Sequence, residues 1–266
     1  MHFRYLGCVQ KCLASPLRYL AAIVVLLLLD GCGALHNVRM WAPQASGMEP
    51  DSATLFVEPS LPPEQRHVLR QEISLGHARV SEFFGEVRTQ PYFVACTSAA
   101  CAARFGSYGE RAAAFGDMAI RLSPDGWTAA LVAHEWTHAE VYQRVGGFWR
   151  IDAIPRWFDE GVAVVVADEP RHSQQNWQEI KRRNLATPKL GELVSRQDWV
   201  FALRQYGETQ VQDPNNLRVV YSTAGHALRH WMRCAGPSGV AQLLEMVRAG
   251  GDFQTVFTRL GGDCLN

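Results

Sequence analysis

The sequence predicts an α+β protein, and three observations carry that expectation. The three strands expected are short and precede residue 123, the chain beyond Pro214 is mostly helical, and the composition suits a packed body. The chain has 266 residues, 47% hydrophobic, 20% charged and 10% aromatic, enough to bury a full core in one large domain or two small ones. Lys plus Arg (26) equals Asp plus Glu (26). A net charge of +0 leaves no electrostatic footprint for a phosphate backbone and argues against nucleic acid as a partner.

In chain order, an apolar run from Tyr19 to Leu29 follows Arg4, Lys11 and Arg18 and precedes Asp30-Gly31-Cys32. This is the layout of a signal peptide over residues 1–31. As a helix the run rises about 16 Å, short of the roughly 30 Å of a bilayer core, so a spanning helix is the weaker reading. Leu29-Asp30-Gly31-Cys32 resembles the lipobox of bacterial lipoproteins, although Asp30 departs from the small residue usual there. That resemblance implies cleavage before Cys32, lipid on its thiol, and a membrane-anchored place in the cell envelope, periplasmic or outer-membrane in a Gram-negative cell.

Of seven cysteines, Cys8 and Cys12 then leave with the signal and Cys32 goes to the lipid. Cys96, Cys101, Cys234 and Cys264 remain, an even set that favours disulfides in an exported chain. Three pairings are possible; Cys96–Cys101 with Cys234–Cys264 is the simplest, because the first two lie close together and flank a polar turn.

Residues 33–52 are rich in Gly, Ala, Pro and Ser without a periodic apolar face, so the segment 32–52 reads as the lipidated cysteine and a flexible tether. The folded domain is expected over 53–266. Thr54 to Val57, Tyr92 to Cys96 and Ala119 to Leu122 read as strands, and Pro62 to Phe84 as an amphipathic helix. Ser123-Pro124-Asp125-Gly126 is a turn, and a helix from Thr128 to Val145 stops at Gly146-Gly147. Further helices are expected over 219–234, 238–248 with Ser238 as cap, and 252–260.

The helix 128–145 carries the chemistry. Leu131, His134, Glu135, His138, Val141, Tyr142 and Val145 recur at three- and four-residue steps on one face. His134-Glu135-Trp136-Thr137-His138 sets two imidazoles one turn apart, able to grip one zinc ion, with Glu135 beside the ion instead of on it. An unpaired Glu on an apolar stripe is costly, and a metal removes that cost. A catalytic zinc needs a third protein ligand, and Glu160 in Pro155-Arg156-Trp157-Phe158-Asp159-Glu160-Gly161 is the best candidate downstream.

The pair His-Glu-x-x-His and Trp-x-x-Glu-Gly resembles the gluzincin metallopeptidases, which include thermolysin and the zinc aminopeptidases. A weaker likeness extends from about Thr54 to the C-terminus and is closest to the small peptidase-MA-like domains of bacterial envelope proteins. The resemblance implies a zincin-like fold, with a small mixed sheet packed on the helix of His134 and His138 and a helical C-terminal lobe. It implies His134, His138 and Glu160 as ligands of one Zn²⁺, Glu135 as general base for hydrolysis of a peptide or protein substrate, and Tyr221 as the oxyanion donor. Two features depart from the relatives: Val164 stands where thermolysin-like enzymes place an Asp that orients a zinc-bound His, and the aminopeptidases' substrate loop is absent. Val164-Val165-Val166 reads as strand by propensity, and the helix expected there follows from the resemblance alone. His226 and His230 read as a polar helix face. The alternative function is a catalytically weak or inactive zincin-fold module that binds a partner in the envelope.

Overall fold

The structure, a computed structural model, describes residues 38–147, 149–207, 218–236 and 238–262. The signal segment, Cys32 and Cys264 lie outside them. The architecture is α+β, with a mixed sheet of five strands: β1 (Glu49–Ser52), β2 (Leu55–Val57), β3 (Tyr92–Ala95), β4 (Ala112–Phe115) and β5 (Ala119–Leu122). Their order across the sheet is β1-β2-β3-β5-β4. The middle three run parallel and each outer strand is antiparallel to its neighbour. Parallel neighbours need a crossover, and α1 (Pro63–Phe84) supplies the one between β2 and β3.

Side chains alternate across the sheet with period two. Phe93, Ala95, Ile120 and Leu122 join the main core, while Val94, Cys96 and Ala119 join a smaller cluster on the opposite face with Met40, Met48, Cys101 and Phe105. This corrects the tether expected over 32–52. From residue 38 onward that segment is folded: Met40 and Met48 are buried and Glu49–Ser52 pairs with β2. Two methionines and a four-residue edge strand make no periodic stripe, which is why composition alone hides them.

Cys96 and Cys101 are disulfide-bonded, joining the end of β3 to α2 (Ala99–Arg104), whose first turn is capped by Ser98. Cys234 is disulfide-bonded as well; Cys264, its expected partner, falls outside the described residues.

Helix α3 (Ala129–Val145) begins where expected, with the Thr128 side chain accepting the Leu131 N–H, and ends at Gly146 with φ of 105°, a left-handed conformation suited to glycine. It is buried on nearly every side. α1 crosses it at Gly76, where a Cβ would sit 2.4 Å from Val132 Cγ1 and 3.1 Å from the Ala129 carbonyl oxygen. Sheet-side residues of α3 pack on Phe93 and Ile120 in the same core.

The remaining helices are α4 (Arg156–Ala167), α5 (Gln174–Arg182), α6 (Arg196–Gln205), α7 (Val219–Ala235), α8 (Gly239–Arg248) and α9 (Phe253–Gly261). Ser238 precedes α8 without a side-chain cap bond, whereas Asp252 caps α9 through the Thr255 N–H. α4 is helical through its valine run because Val162, Val164 and Val166 are all buried, and tertiary packing outweighs a propensity difference of at most about 0.7 kcal/mol per residue. It meets α7 through two glycines: a Cβ on Gly161 would lie 2.9 Å from the Ala224 carbonyl oxygen, and one on Gly225 2.4 Å from Val164 Cγ1. No helix among the described residues is long and apolar enough to cross a membrane.

One buried acid in α3 is structural. Glu140 is 0% exposed; its Oε1 accepts from the Arg88 N–H, the Thr89 N–H and the Thr89 hydroxyl at 2.8, 2.7 and 2.6 Å, and its Oε2 from Arg144 Nε at 3.0 Å. Removing it strands a buried guanidinium and two backbone donors. Glu140→Ala is expected to destabilise the domain by about 3–5 kcal/mol, read from the urea midpoint. A loss under about 1 kcal/mol, the scale of a surface ion pair, would contradict the clamp.

Candidate metal centre

α3 sets His134 and His138 one turn apart, and α4 brings Glu160 across from them. The His134 and His138 Nε2 atoms are 3.2 Å apart, and Glu160 Oε2 lies 3.3 Å from the first and 3.6 Å from the second. All three side chains are largely buried, and Glu160 Oε2 completes no hydrogen bond. Donors about 2.0–2.1 Å from a tetrahedral zinc ion lie about 3.4 Å from one another. The three separations match that spacing, and a buried carboxylate oxygen facing two ring nitrogens is the donor set that a borderline-soft divalent cation takes.

The partner that orients the imidazole is Asp159. Its Oδ1 lies 2.8 Å from His138 Nδ1, so Nδ1 donates to it and Nε2 is left to face the cluster. The resemblance to thermolysin-like enzymes implies this acid at position 164, where Val164 instead packs on Gly225. A carboxylate directly before Glu160, in the first turn of the same helix, is the signal that could have found it. Arg156, one turn earlier, pairs with both acids, reaching Asp159 Oδ2 and Glu160 Oε1.

The electrostatics follow from this geometry. Burial pushes the His138 imidazole down, but the carboxylates of Asp159 and Glu160 outweigh it and raise the group to about 10. Burial pushes both carboxyls up; Arg156 and His138 prevail, lowering Asp159 and taking Glu160 well below the usual carboxylate range.

Glu135 is buried beside the cluster, and its Oε2 accepts the Ala114 N–H of β4 at 2.8 Å. β4 is an outer strand, and this N–H points away from β5. Glu135, Ala114, the three cluster residues and Tyr221 line one cavity of about 530 Å³. The Tyr221 ring centroid is 6.2 Å from that of His134, stacks on His172 at 4.8 Å and meets Trp199 edge-on at 5.1 Å. His172, which the sequence reading passed over, is pushed down to about 3 by burial. His226 stacks instead on Trp177 at 4.3 Å and is absent from this wall. The structure therefore brings His134, Glu135, His138, Glu160 and Tyr221 together, adds Asp159 and Arg156, and leaves His226 and His230 outside.

No protein-family model, curated protein or solved structure matches this chain.

The raised imidazole sets a pH dependence. In metal-free protein its contribution to stability is complete below about 6.5 and is lost as pH climbs towards 10. A cation at Nε2 displaces that proton, so affinity should strengthen with pH across this range. Titration of the metal-free domain with zinc at pH 8, in buffers of different ionisation enthalpy, is expected to release about one proton. Asp159→Asn should lower that number and weaken zinc affinity about 10- to 100-fold. Uptake with no proton released in either protein would contradict the arrangement.

Proposed function

We propose that this chain is a zinc-dependent metallopeptidase of gluzincin type, held in the bacterial cell envelope by a lipid on Cys32. The observation that carries the proposal is the triangle of His134 Nε2, His138 Nε2 and Glu160 Oε2, with Glu135 buried beside it. A zinc ion held there supplies Lewis acidity and draws the pKa of water towards neutrality. Glu135 takes a proton from the attacking water and passes it to the leaving amine nitrogen. The Ala114 N–H keeps its carboxylate turned to the cavity. The Tyr221 hydroxyl donates to the carbonyl oxygen as charge builds there.

An extended peptide suits the cavity because β4 is an outer strand whose free edge, apart from the Ala114 N–H that Glu135 takes, can pair with a further strand. The burial of Glu135 among the cluster residues favours catalysis over the binding-module alternative. Envelope anchoring rests on the charged, apolar and Leu-Asp-Gly-Cys segments at the start of the chain and on the oxidised Cys96–Cys101 pair.

The purified domain should hold about one zinc ion, and Glu160→Ala should lose most of it. Glu135→Gln is expected to keep the metal and lose peptide cleavage. Zinc retained in Glu160→Ala, or wild-type turnover in Glu135→Gln, would overturn the assignment. For Tyr221→Phe, kcat should fall about 10²- to 10³-fold with KM little changed, while His226→Ala stays near wild type. The reverse pattern would move the donor role to His226.

A further inference from the structure

A second cavity, of about 440 Å³, meets His134 and Glu135 and shares Tyr221 with the first. Among the described residues its wall carries four arginines and no lysine: Arg111 before β4, Arg171 in the turn after α4, Arg204 in the last turn of α6 and Arg218 at the start of α7. One acid, Glu169, ties two of them. It meets Arg111 through both oxygens, at 2.8 and 3.1 Å, and Arg171 at 3.2 Å. Glu110 also reaches the wall, but it is engaged by the Tyr108 N–H at 2.8 Å and by Arg121 at 3.4 Å. Exposed Arg204 adds a positive charge that none of the described carboxylates pairs.

The four arginines of the wall outnumber its three carboxylates, Glu110, Glu135 and Glu169, so the cavity keeps an excess of positive charge beside the cluster. The crowding acts on Arg171: burial and then the charges of Arg111 and Arg218 push its guanidinium down, against the pull of Glu169. Like charges held together, with guanidinium forks fixed by a shared acid, form a pre-organised receptor for a planar anion. An extended peptide advances about 3.4 Å per residue. A cavity touching both His134 and Glu135 therefore receives groups one or two residues from the bond under attack.

We propose that this arginine-lined cavity is a specificity pocket for a carboxylate of the peptide substrate, so that peptides acidic next to the cleaved bond are preferred. The inference rests on the peptidase reading and deepens it. Two sources share the chemistry, an Asp or Glu side chain and a free C-terminal carboxylate.

The test compares blocked hexapeptides in which Asp or Asn is scanned through the positions flanking one scissile bond, beside free-acid and amidated versions of the same peptides. Wild-type enzyme is expected to favour the carboxylate by about tenfold or more in kcat/KM at one position, and Arg171→Gln with Arg204→Gln should abolish most of that ratio. A ratio between Asp and Asn assigns the side chain; one between free acid and amide assigns the terminus. Arg204→Gln alone, at an exposed position, reads the same ratio where the double variant fails to fold. Equal rates for every pair in wild type, or an undiminished ratio in the variants, would overturn the pocket. If no peptide is cut, the peptidase reading fails, and anisotropy of fluorescein-labelled Asp and Asn peptides on zinc-loaded Glu135→Gln decides the pocket separately. Tighter binding of the Asp peptide that the arginine variants lose supports it; equal binding rejects it.

Discussion

Two carboxylates enter the contact between α3 and α4 almost without water, and their compensation organises the centre of the molecule. Asp159 and Glu160 are each 3% exposed. Isolated ions at that depth would be prohibitively costly, so each requires partners of opposite charge with good geometry. Arg156 supplies one guanidinium to both, and the two imidazoles of α3 supply the rest. Glu160 Oε2 completes no hydrogen bond, and it is the atom at which the proposed cation would complete the set.

That arrangement depends on how closely four helices approach in two pairs. Gly161 lets α4 approach the backbone of α7, Gly225 lets α7 close on the Val164 side chain, and Gly76 lets α1 close on Val132 of α3. A methyl group at any of these positions would push a helix outward, and the donor triangle tolerates only a few tenths of an ångström. The β4 hairpin closes the other side: the Ala114 N–H turns Glu135 into the cavity, while β5 behind it is anchored by the core residues Ile120 and Leu122. Scaffold and chemistry are coupled through packing, so a core substitution far from His134 can alter the site without touching it.

The parts visible in the sequence are those whose signals are local. Helix α3 carries its cap, stripe, motif and stop within twenty residues, and its limits emerge almost to the residue. The three central strands announce themselves as apolar runs between turn residues. By contrast β1, β4, α2, α5 and α6 are short and partly exposed, and none of them is expected from the sequence; Met40 and Met48 are core residues only because the sheet has a second face. The same division holds in the site. His134, Glu135, His138 and Glu160 sit in compact motifs, whereas the partnership of Asp159 with His138 spans 21 residues and is created by the helix crossing. The arginines of the second cavity come from four separate segments, so their convergence is a property of the tertiary fold alone.

The central claim is a position in space: one cation within bonding reach of His134 Nε2, His138 Nε2 and Glu160 Oε2. Crystals of the protein grown with zinc and measured on both sides of the zinc absorption edge test it most directly. The account expects one anomalous peak about 2.0–2.2 Å from all three atoms, with Asp159 on the far side of the His138 ring. A peak bound elsewhere, or zinc-replete crystals with no peak at the triangle, would contradict it.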